Sequence, residues 1–149
     1  MAERTFSRLE RYELKYHIPL ALLDKIARFL EPWCMLDAFS QKSADQFYWI
    51  SSLYLDSPKY TFFHWKEAGL ENRFNMRIRT YGENPSPDGP RFFEIKCKRA
   101  AIVEKTRGTL QGGNAIRLWS DTANVLSQSQ EKDRNNLELF YRNAITYNA

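Results

Sequence analysis

The chain has 149 residues, of which 43% are hydrophobic and 27% charged, values typical of one soluble globular domain with a hydrophobic core. Two cysteines are too few for a disulfide framework or a zinc site, and no apolar run is long enough to span a bilayer. The N-terminus lacks the apolar stretch of a signal peptide, so we expect a cytoplasmic protein without a membrane span. The net charge of +4 is small, so the arrangement of the charges is more informative than their sum.

Residue patterns predict four strands and four helices. Alternating polar and apolar residues, or runs of aromatic and β-branched residues, are typical of strands, whereas apolar residues three and four apart are typical of helices. In chain order, these patterns predict a strand over residues 6–18, a helix over 20–30, a strand over 47–56, a short helix over 60–66, strands over 71–81 and 91–99, and helices over 115–126 and 137–147.

Four connecting segments complete the prediction. Residues 82–90 are rich in Gly and Pro and predict a turn-rich loop. Residues 100–110 predict an extended segment that either continues the fourth strand or follows it separately. Residues 112–114 predict a break, and the polar residues 128–136 predict a linker or the start of the last helix. Strands and helices are thus mixed along the chain, the composition of an α+β fold.

Basic residues two apart mark three of the strand-like segments. Residues two apart in a strand share one face, so Arg73, Arg77 and Arg79 are predicted to lie opposite Met76 and Ile78. The other two segments with this spacing are Arg11-Tyr12-Glu13-Leu14-Lys15 and Glu94-Ile95-Lys96-Cys97-Lys98. Like charges on one face repel unless an anion lies between them, so the pattern favours a bound phosphate chain.

Four short motifs, spread over residues 8–110, carry a resemblance to a known family. They are Arg11-Tyr12-Glu13-Leu14-Lys15-Tyr16, Ser52-Leu53-Tyr54-Leu55-Asp56-Ser57-Pro58, Arg77-Ile78-Arg79-Thr80-Tyr81-Gly82 and Glu94-Ile95-Lys96-Cys97-Lys98. Together, and in this order, they resemble the VTC domain, the polyphosphate-polymerase branch of the triphosphate tunnel enzymes.

The resemblance implies an antiparallel barrel of about eight strands with helices packed outside, in which inward basic side chains hold triphosphate or polyphosphate. It also implies a divalent metal, Mn²⁺ or Mg²⁺, on inward glutamates, and phosphoryl transfer that lengthens polyphosphate from a nucleotide triphosphate. By the match to the family, catalytic roles are expected for Lys15, Arg77, Arg79 and Lys96. Weaker candidates for substrate binding are Arg11, Arg73, Lys98, Lys105 and Arg107. The expected metal ligands are Glu13 and Glu94.

The chain departs from the family in two places. The wider superfamily begins with Glu-x-Glu-x-Lys, whereas this chain has Arg11-x-Glu13-x-Lys15, a variant common in the VTC branch and contrary to the cyclase and thiamine-triphosphatase branches. Further tunnel strands and the main metal-binding glutamate are expected after Tyr147. We therefore expect a single domain over residues 1–149 that is truncated at its C-terminus, is weak or inactive as a catalyst, and self-associates through open sheet edges.

Other interpretations of these residues remain open. The basic residues also suit the solvated face of a sheet, and Glu13 and Glu94 suit salt bridges as well as a metal site. The alternative functions are a non-catalytic polyphosphate- or phosphate-binding module and a triphosphate hydrolase. A single-stranded nucleic acid binder ranks last, because it needs aromatic residues beside the cations, whereas Phe74, Phe93 and Trp49 are predicted mostly on the opposite face.

Overall fold

A computed structural model describes residues 14–44 and 46–149, which divide into two compact units at Ile50. The smaller unit contains a 3₁₀ turn at Leu20–Leu22, helix α1 at Leu23–Leu30 and a second 3₁₀ turn at Ser40–Lys42. The predicted helix over residues 20–30 is therefore confirmed. Of the predicted strand over 6–18, residues 6–13 lie outside the described residues. Residues 14–18 are not a strand, because alternation alone does not make one without a hydrogen-bonded neighbour.

The larger unit is built on a four-stranded antiparallel sheet. Its strands are β1 (Ile50–Leu55), β2 (Asn72–Tyr81), β3 (Pro90–Arg99) and β4 (Ile102–Gln111), and they pair in the order β1-β2-β3-β4. Each strand therefore lies beside its neighbour in sequence. The α+β class and the antiparallel sheet are confirmed, and residues 100–110 form mostly a separate strand. The sheet is not closed into a barrel within the described residues.

Helices connect and follow the strands. Helix α2 (Thr61–Glu67) lies between β1 and β2, and α3 (Gly112–Arg117), α4 (Thr122–Gln128) and α5 (Glu131–Tyr147) follow β4. The helix predicted over residues 115–126 is thus two helices. Residues 128–136, predicted as a linker or the start of the last helix, include the first turns of α5 from Glu131.

The break predicted over residues 112–114 falls where β4 ends and α3 begins, so these three residues are helical. A Cβ atom at this position would lie 1.6 Å from the carbonyl oxygen of Pro87, so glycine permits the close approach of the 82–90 loop. In the sequence, the two adjacent glycines indicated a break in regular structure. In the structure, the first of them, Gly112, is needed for close packing against the 82–90 loop.

The hydrophobic core lies between one face of the sheet and α5. The buried residues of α5 are three and four positions apart, at Leu137, Phe140 and Ala144, which is the spacing of a helix stripe. The ring of Phe140 meets that of Phe93 on β3 edge to face, with centroids 5.2 Å apart. The sheet contributes Met76, Phe93, Ile95 and Leu110, and the cluster also includes Phe62, Leu118 and Val125.

An aromatic cluster joins α2 to the sheet and to the end of α5. The ring of Phe62 lies 4.7 Å from that of Phe74 on β2 and 5.1 Å from that of Tyr147. The start of α2 is fixed by Asp56, whose two carboxylate oxygens each accept a backbone N–H, from Phe62 and Phe63, at 2.9 Å. Asp56, part of the second sequence motif, therefore has a structural role.

Side chains of α5 cover part of the outer edge of β4. The backbone N–H of Thr109 donates to Asp133 Oδ1 at 2.9 Å, and Asn136 Nδ2 donates to the carbonyl oxygen of Arg107 at 2.7 Å. Unpaired strand edges recruit other strands, and these two bonds satisfy edge groups of β4 within the chain. Gly108 lies between the two bonded residues, directly against Leu137.

We predict that Gly108→Ala destabilises the larger unit by about 1–3 kcal/mol, because overpacking shifts side chains and backbone. A Cβ atom there would lie 2.6 Å from Leu137 Cγ and 3.1 Å from the Leu137 backbone nitrogen. Urea unfolding measures the change. The matched control is Gly113→Ala, where nothing lies within 4 Å and alanine favours the helix. Equal stabilities for the two variants would show that α5 does not pack closely on β4.

Candidate functional site

The basic residues of the sheet lie on the face opposite the core. Strand register places side chains in rows that run across the sheet, and four neighbouring rows contain basic residues. We call this surface the cationic face. Its basic members on the four strands are Arg73, Arg77, Arg79, Lys96, Lys98, Lys105 and Arg107. The predicted division of β2 into a basic and an apolar face is confirmed, since Met76 is buried and Phe74 and Ile78 pack against the core.

One row contains the only carboxylate on this face within strands β1–β4. Tyr54, Arg77, Glu94 and Arg107 stand opposite one another on β1, β2, β3 and β4. Arg77 Nε donates to Glu94 Oε2 at 2.6 Å, and Arg107 Nε donates to Glu94 Oε1 at 2.7 Å. Lys105 Nζ reaches the same Oε1 at 2.7 Å. Glu94 thus binds three cations from the strands on either side of its own.

The Glu94 carboxylate is strongly held in its charged form. Its side chain is 1% exposed. Burial raises the pKa of this carboxyl, but hydrogen bonds from Lys105, Arg77 and Arg107 outweigh burial and lower the pKa to about 2. The reciprocal effect is seen at the arginines, where burial lowers the pKa of Arg77 and Arg107 but the bonds to Glu94 raise it overall.

Within strands β1–β4, the rows on either side of Glu94 contain cations and no acid. On one side, Arg79 lies between Ser52 and Phe92, and its Nε donates to Ser52 Oγ at 3.1 Å. Arg79 forms no ion pair within residues 14–44 and 46–149. On the other side, Lys96 lies opposite Lys105. Lys105 is balanced by its ion pair with Glu94, whereas the row of Arg79 has no acid within strands β1–β4.

The outermost basic row pairs Arg73 with Lys98. The guanidinium of Arg73 donates to the carbonyl oxygen of Leu70, in the turn that leads into β2. Arg73 therefore also stabilises the local backbone, and Lys98 is the less constrained cation of this row. Both predicted substrate-binding residues lie on the cationic face.

Three aromatic side chains on this face were not among the predicted site residues. The hydroxyl of Tyr54 accepts from Arg77 Nη1 at 3.0 Å, and the hydroxyl of Tyr81 accepts from Arg107 Nη2 at 3.2 Å. Burial raises the pKa of Tyr81, but Arg79 and Arg107 lower it overall. The guanidinium of Arg107 lies over the ring of Phe92, 4.8 Å from its centroid.

The structure brings together six of the predicted residues around β2, β3 and β4. Lys15 belongs to the smaller unit and is exposed. Arg11 and Glu13 lie outside the described residues. Arg77, Arg79, Lys96, Lys105, Arg107 and Glu94 form the centre of the cationic face.

The described residues do not by themselves fit the predicted metal site. Within residues 14–44 and 46–149, no three carboxylate, histidine or cysteine side chains lie close enough to hold a metal ion. Both oxygens of Glu94 bind basic groups, and three surrounding cations repel a dication. The Mn²⁺ or Mg²⁺ site at Glu13 and Glu94 therefore remains a prediction.

The family model named VTC domain matches residues 10–149. The chain belongs to the VTC domain family. The resemblance seen in four motifs is thus confirmed over nearly the whole chain. Membership is consistent with a function related to polyphosphate. No curated protein and no solved structure matches this VTC-domain chain.

The α-helices in the described part of this VTC-domain chain are 6 to 17 residues long. Across residues 14–44 and 46–149, none combines the length and apolar character that crossing a bilayer requires. The longest, α5, has 17 residues and carries acidic residues in its first turn.

We predict that Glu94→Gln lowers the free energy of unfolding by about 3 kcal/mol near neutral pH, because it leaves buried cations without their counter-charge. The pKa of Glu94 is lowered from 4.5 to about 2 in the folded state, so its contribution is present above pH 4.5 and is lost as the pH falls toward 2. The difference in unfolding free energy between wild type and variant should therefore shrink as the pH falls from 4.5 to about 2, and denaturant unfolding measures it.

The matched control is Glu138→Gln, which removes an acid whose ion pair with Arg142 is exposed on α5. Exposed pairs contribute about 0–1 kcal/mol, so we expect a small change. An equally small change for Glu94→Gln, or a difference from wild type that persists at pH 2, would contradict the assigned role of Glu94.

Proposed function

We propose that the cationic face binds triphosphate or polyphosphate and supports phosphoryl transfer, as synthesis of polyphosphate from a nucleotide triphosphate. The observation that carries the proposal is the charge imbalance on one face of the sheet. In a chain of the VTC domain family, strands β1–β4 carry seven basic side chains and one carboxylate, that of Glu94, on this face. Phosphate oxygens supply the negative charge that this face lacks.

The basic residues divide into two groups by their present contacts. Arg77, Lys105 and Arg107 are held by Glu94, so their positions are fixed before any ligand binds. Arg79 and Lys98 have no ion pair within residues 14–44 and 46–149 and are the first candidates to contact phosphate. Cations that are already in position need little rearrangement when negative charge develops on a phosphoryl group. Stabilising that charge is the main requirement of phosphoryl transfer.

Glu94 acts in this proposal as a positioning residue. Its carboxylate keeps two guanidinium groups and one ammonium close together, and each can turn its remaining N–H donors toward a ligand. A phosphate chain above the row would accept these donors. The attacking group is the terminal phosphate of a growing chain in a polymerase, and water in a hydrolase.

The tunnel remains part of the proposal. Closing a barrel takes about eight strands, and residues 50–149 provide four. We propose that further strands close over the cationic face, since exposed charges bind phosphate less strongly in water and salt than enclosed ones. Self-association through the outer edge of β1 is one source of such strands, and the dependence on Mn²⁺ or Mg²⁺ also remains a prediction.

Single-stranded nucleic acid is the competing ligand, because Phe92, Tyr54 and Tyr81 share the face with the cations. Two observations favour phosphate chains. The ring of Phe92 is covered by the guanidinium of Arg107, and both tyrosine hydroxyls bind arginines. Bases stack on open aromatic rings, so oligonucleotide should compete weakly with triphosphate for this face.

We predict that Arg79→Ala weakens triphosphate binding about tenfold or more, because a charge-assisted hydrogen bond contributes about 1.5–3 kcal/mol. Arg79→Lys should restore only part of the affinity, since the planar fork of donors is lost. Isothermal titration calorimetry at fixed salt measures both. Arg79 suits this test because it does not bind Glu94, so its loss leaves the buried ion pairs intact.

The matched control is Arg142→Ala, which removes the same charge from the exposed surface of α5. It should leave triphosphate affinity within about twofold of wild type, as expected for a distant, screened charge. Unchanged affinity in Arg79→Ala, or equal losses in both variants, would contradict binding on the cationic face. Tighter binding of oligonucleotide than of triphosphate would favour the competing function.

A further inference from the structure

A groove of about 580 Å³ lies between β4 and the first turns of α5. Its β4 side is lined by Lys105 and Arg107, which also belong to the cationic face. Its α5 side is lined by Lys132 and by the amide side chains of Gln130 and Asn135. The groove is therefore continuous with the candidate site through two shared residues.

The chemistry of the groove suits an anion with many oxygen acceptors. Lys132 is exposed and forms no ion pair within residues 14–44 and 46–149. Among the described residues that line the groove, the one acid is Asp133, and its Oδ1 accepts the backbone N–H of Thr109. The side-chain amide groups and the lysine ammonium group can donate hydrogen bonds to phosphate oxygens, and this does not require a ligand of one fixed shape.

The two walls of the groove are held at a fixed separation. Besides the Asp133 bond, Asn136 Nδ2 donates to the carbonyl oxygen of Arg107 at 2.7 Å, and Leu137 packs against Gly108. These contacts anchor the beginning of α5 to β4. Lys132 is thus kept near Lys105 and Arg107 even without a ligand.

We propose that this groove is a second binding segment for chain-like polyanions, which continues the phosphate track from the cationic face across β4 to Lys132. The inference rests on the proposed function and adds a preference for long chains. A triphosphate fills the face alone, whereas a longer polyphosphate reaches both Arg107 and Lys132. Length selectivity is then determined by α5.

The test compares binding of triphosphate and of long-chain polyphosphate to the whole chain, at one salt concentration, in wild type, Lys132→Ala and Lys132→Arg. We expect Lys132→Ala to weaken long-chain binding about three- to tenfold, since the lost contact is charged but exposed. Triphosphate affinity should stay within about twofold of wild type, and Lys132→Arg should retain long-chain binding.

Lys66→Ala is the matched control, because it removes an identical charge from α2, which packs on the opposite face of the sheet through Phe62. It should change neither affinity. Equal long-chain losses in Lys132→Ala and Lys66→Ala would indicate general electrostatic attraction and overturn the proposal. Unchanged long-chain binding in Lys132→Ala, or equal losses for both ligands, would also overturn it. Failure of wild type to bind triphosphate would instead refute the proposed function.

Discussion

The carboxylate of Glu94 is the interaction on which the arrangement of the sheet depends. It is the one acid that strands β1–β4 carry on the cationic face, and it binds cations from β2 and β4 at 2.5–2.7 Å. Without it, the guanidinium groups of Arg77 and Arg107 would repel each other across β3. With it, the two strands are joined across their common neighbour, and the side chains of the binding surface are fixed in advance. Stability and pre-organisation therefore come from the same three contacts.

The two faces of the sheet have different roles, and the packing of the helices determines which face is buried in the core. Helix α2 packs through Phe62 on Phe74, and α5 packs through Phe140 on Phe93, so both cover the apolar face. The cationic face receives no contribution from these two helices. At the edge of β4, however, α5 takes on a second task, because Asp133 and Asn136 bind the strand backbone. The same helix stabilises the core, satisfies a strand edge and lines the groove next to the proposed phosphate track.

Much of this site was predictable from sequence, because a strand of known boundaries determines which residues share a face. Arg77, Arg79 and Lys96 were placed correctly by alternation, and Glu94 stood out as the lone acid among them. The roles of Tyr54, Tyr81 and Phe92 were not predictable in the same way. An aromatic residue in a strand suits the core equally well, and its partner depends on the register between strands, which loops and packing determine. Lys132 belonged to a segment predicted as a linker or helix start, and its closeness to Arg107 arises only when α5 folds back on β4.

The central claim is that phosphate chains bind the cationic face through arginines that are already in position. Nuclear magnetic resonance of the nitrogen-15-labelled chain tests it directly, by following arginine Nε–H signals as triphosphate is added. We expect shifts at Arg77, Arg79 and Arg107, with the Nε–H signals of Arg77 and Arg107 already slow to exchange before addition, because each donates to Glu94. Shifts confined to arginines outside β2–β4, such as Arg117 and Arg142, or no saturable shift at all, would contradict the claim.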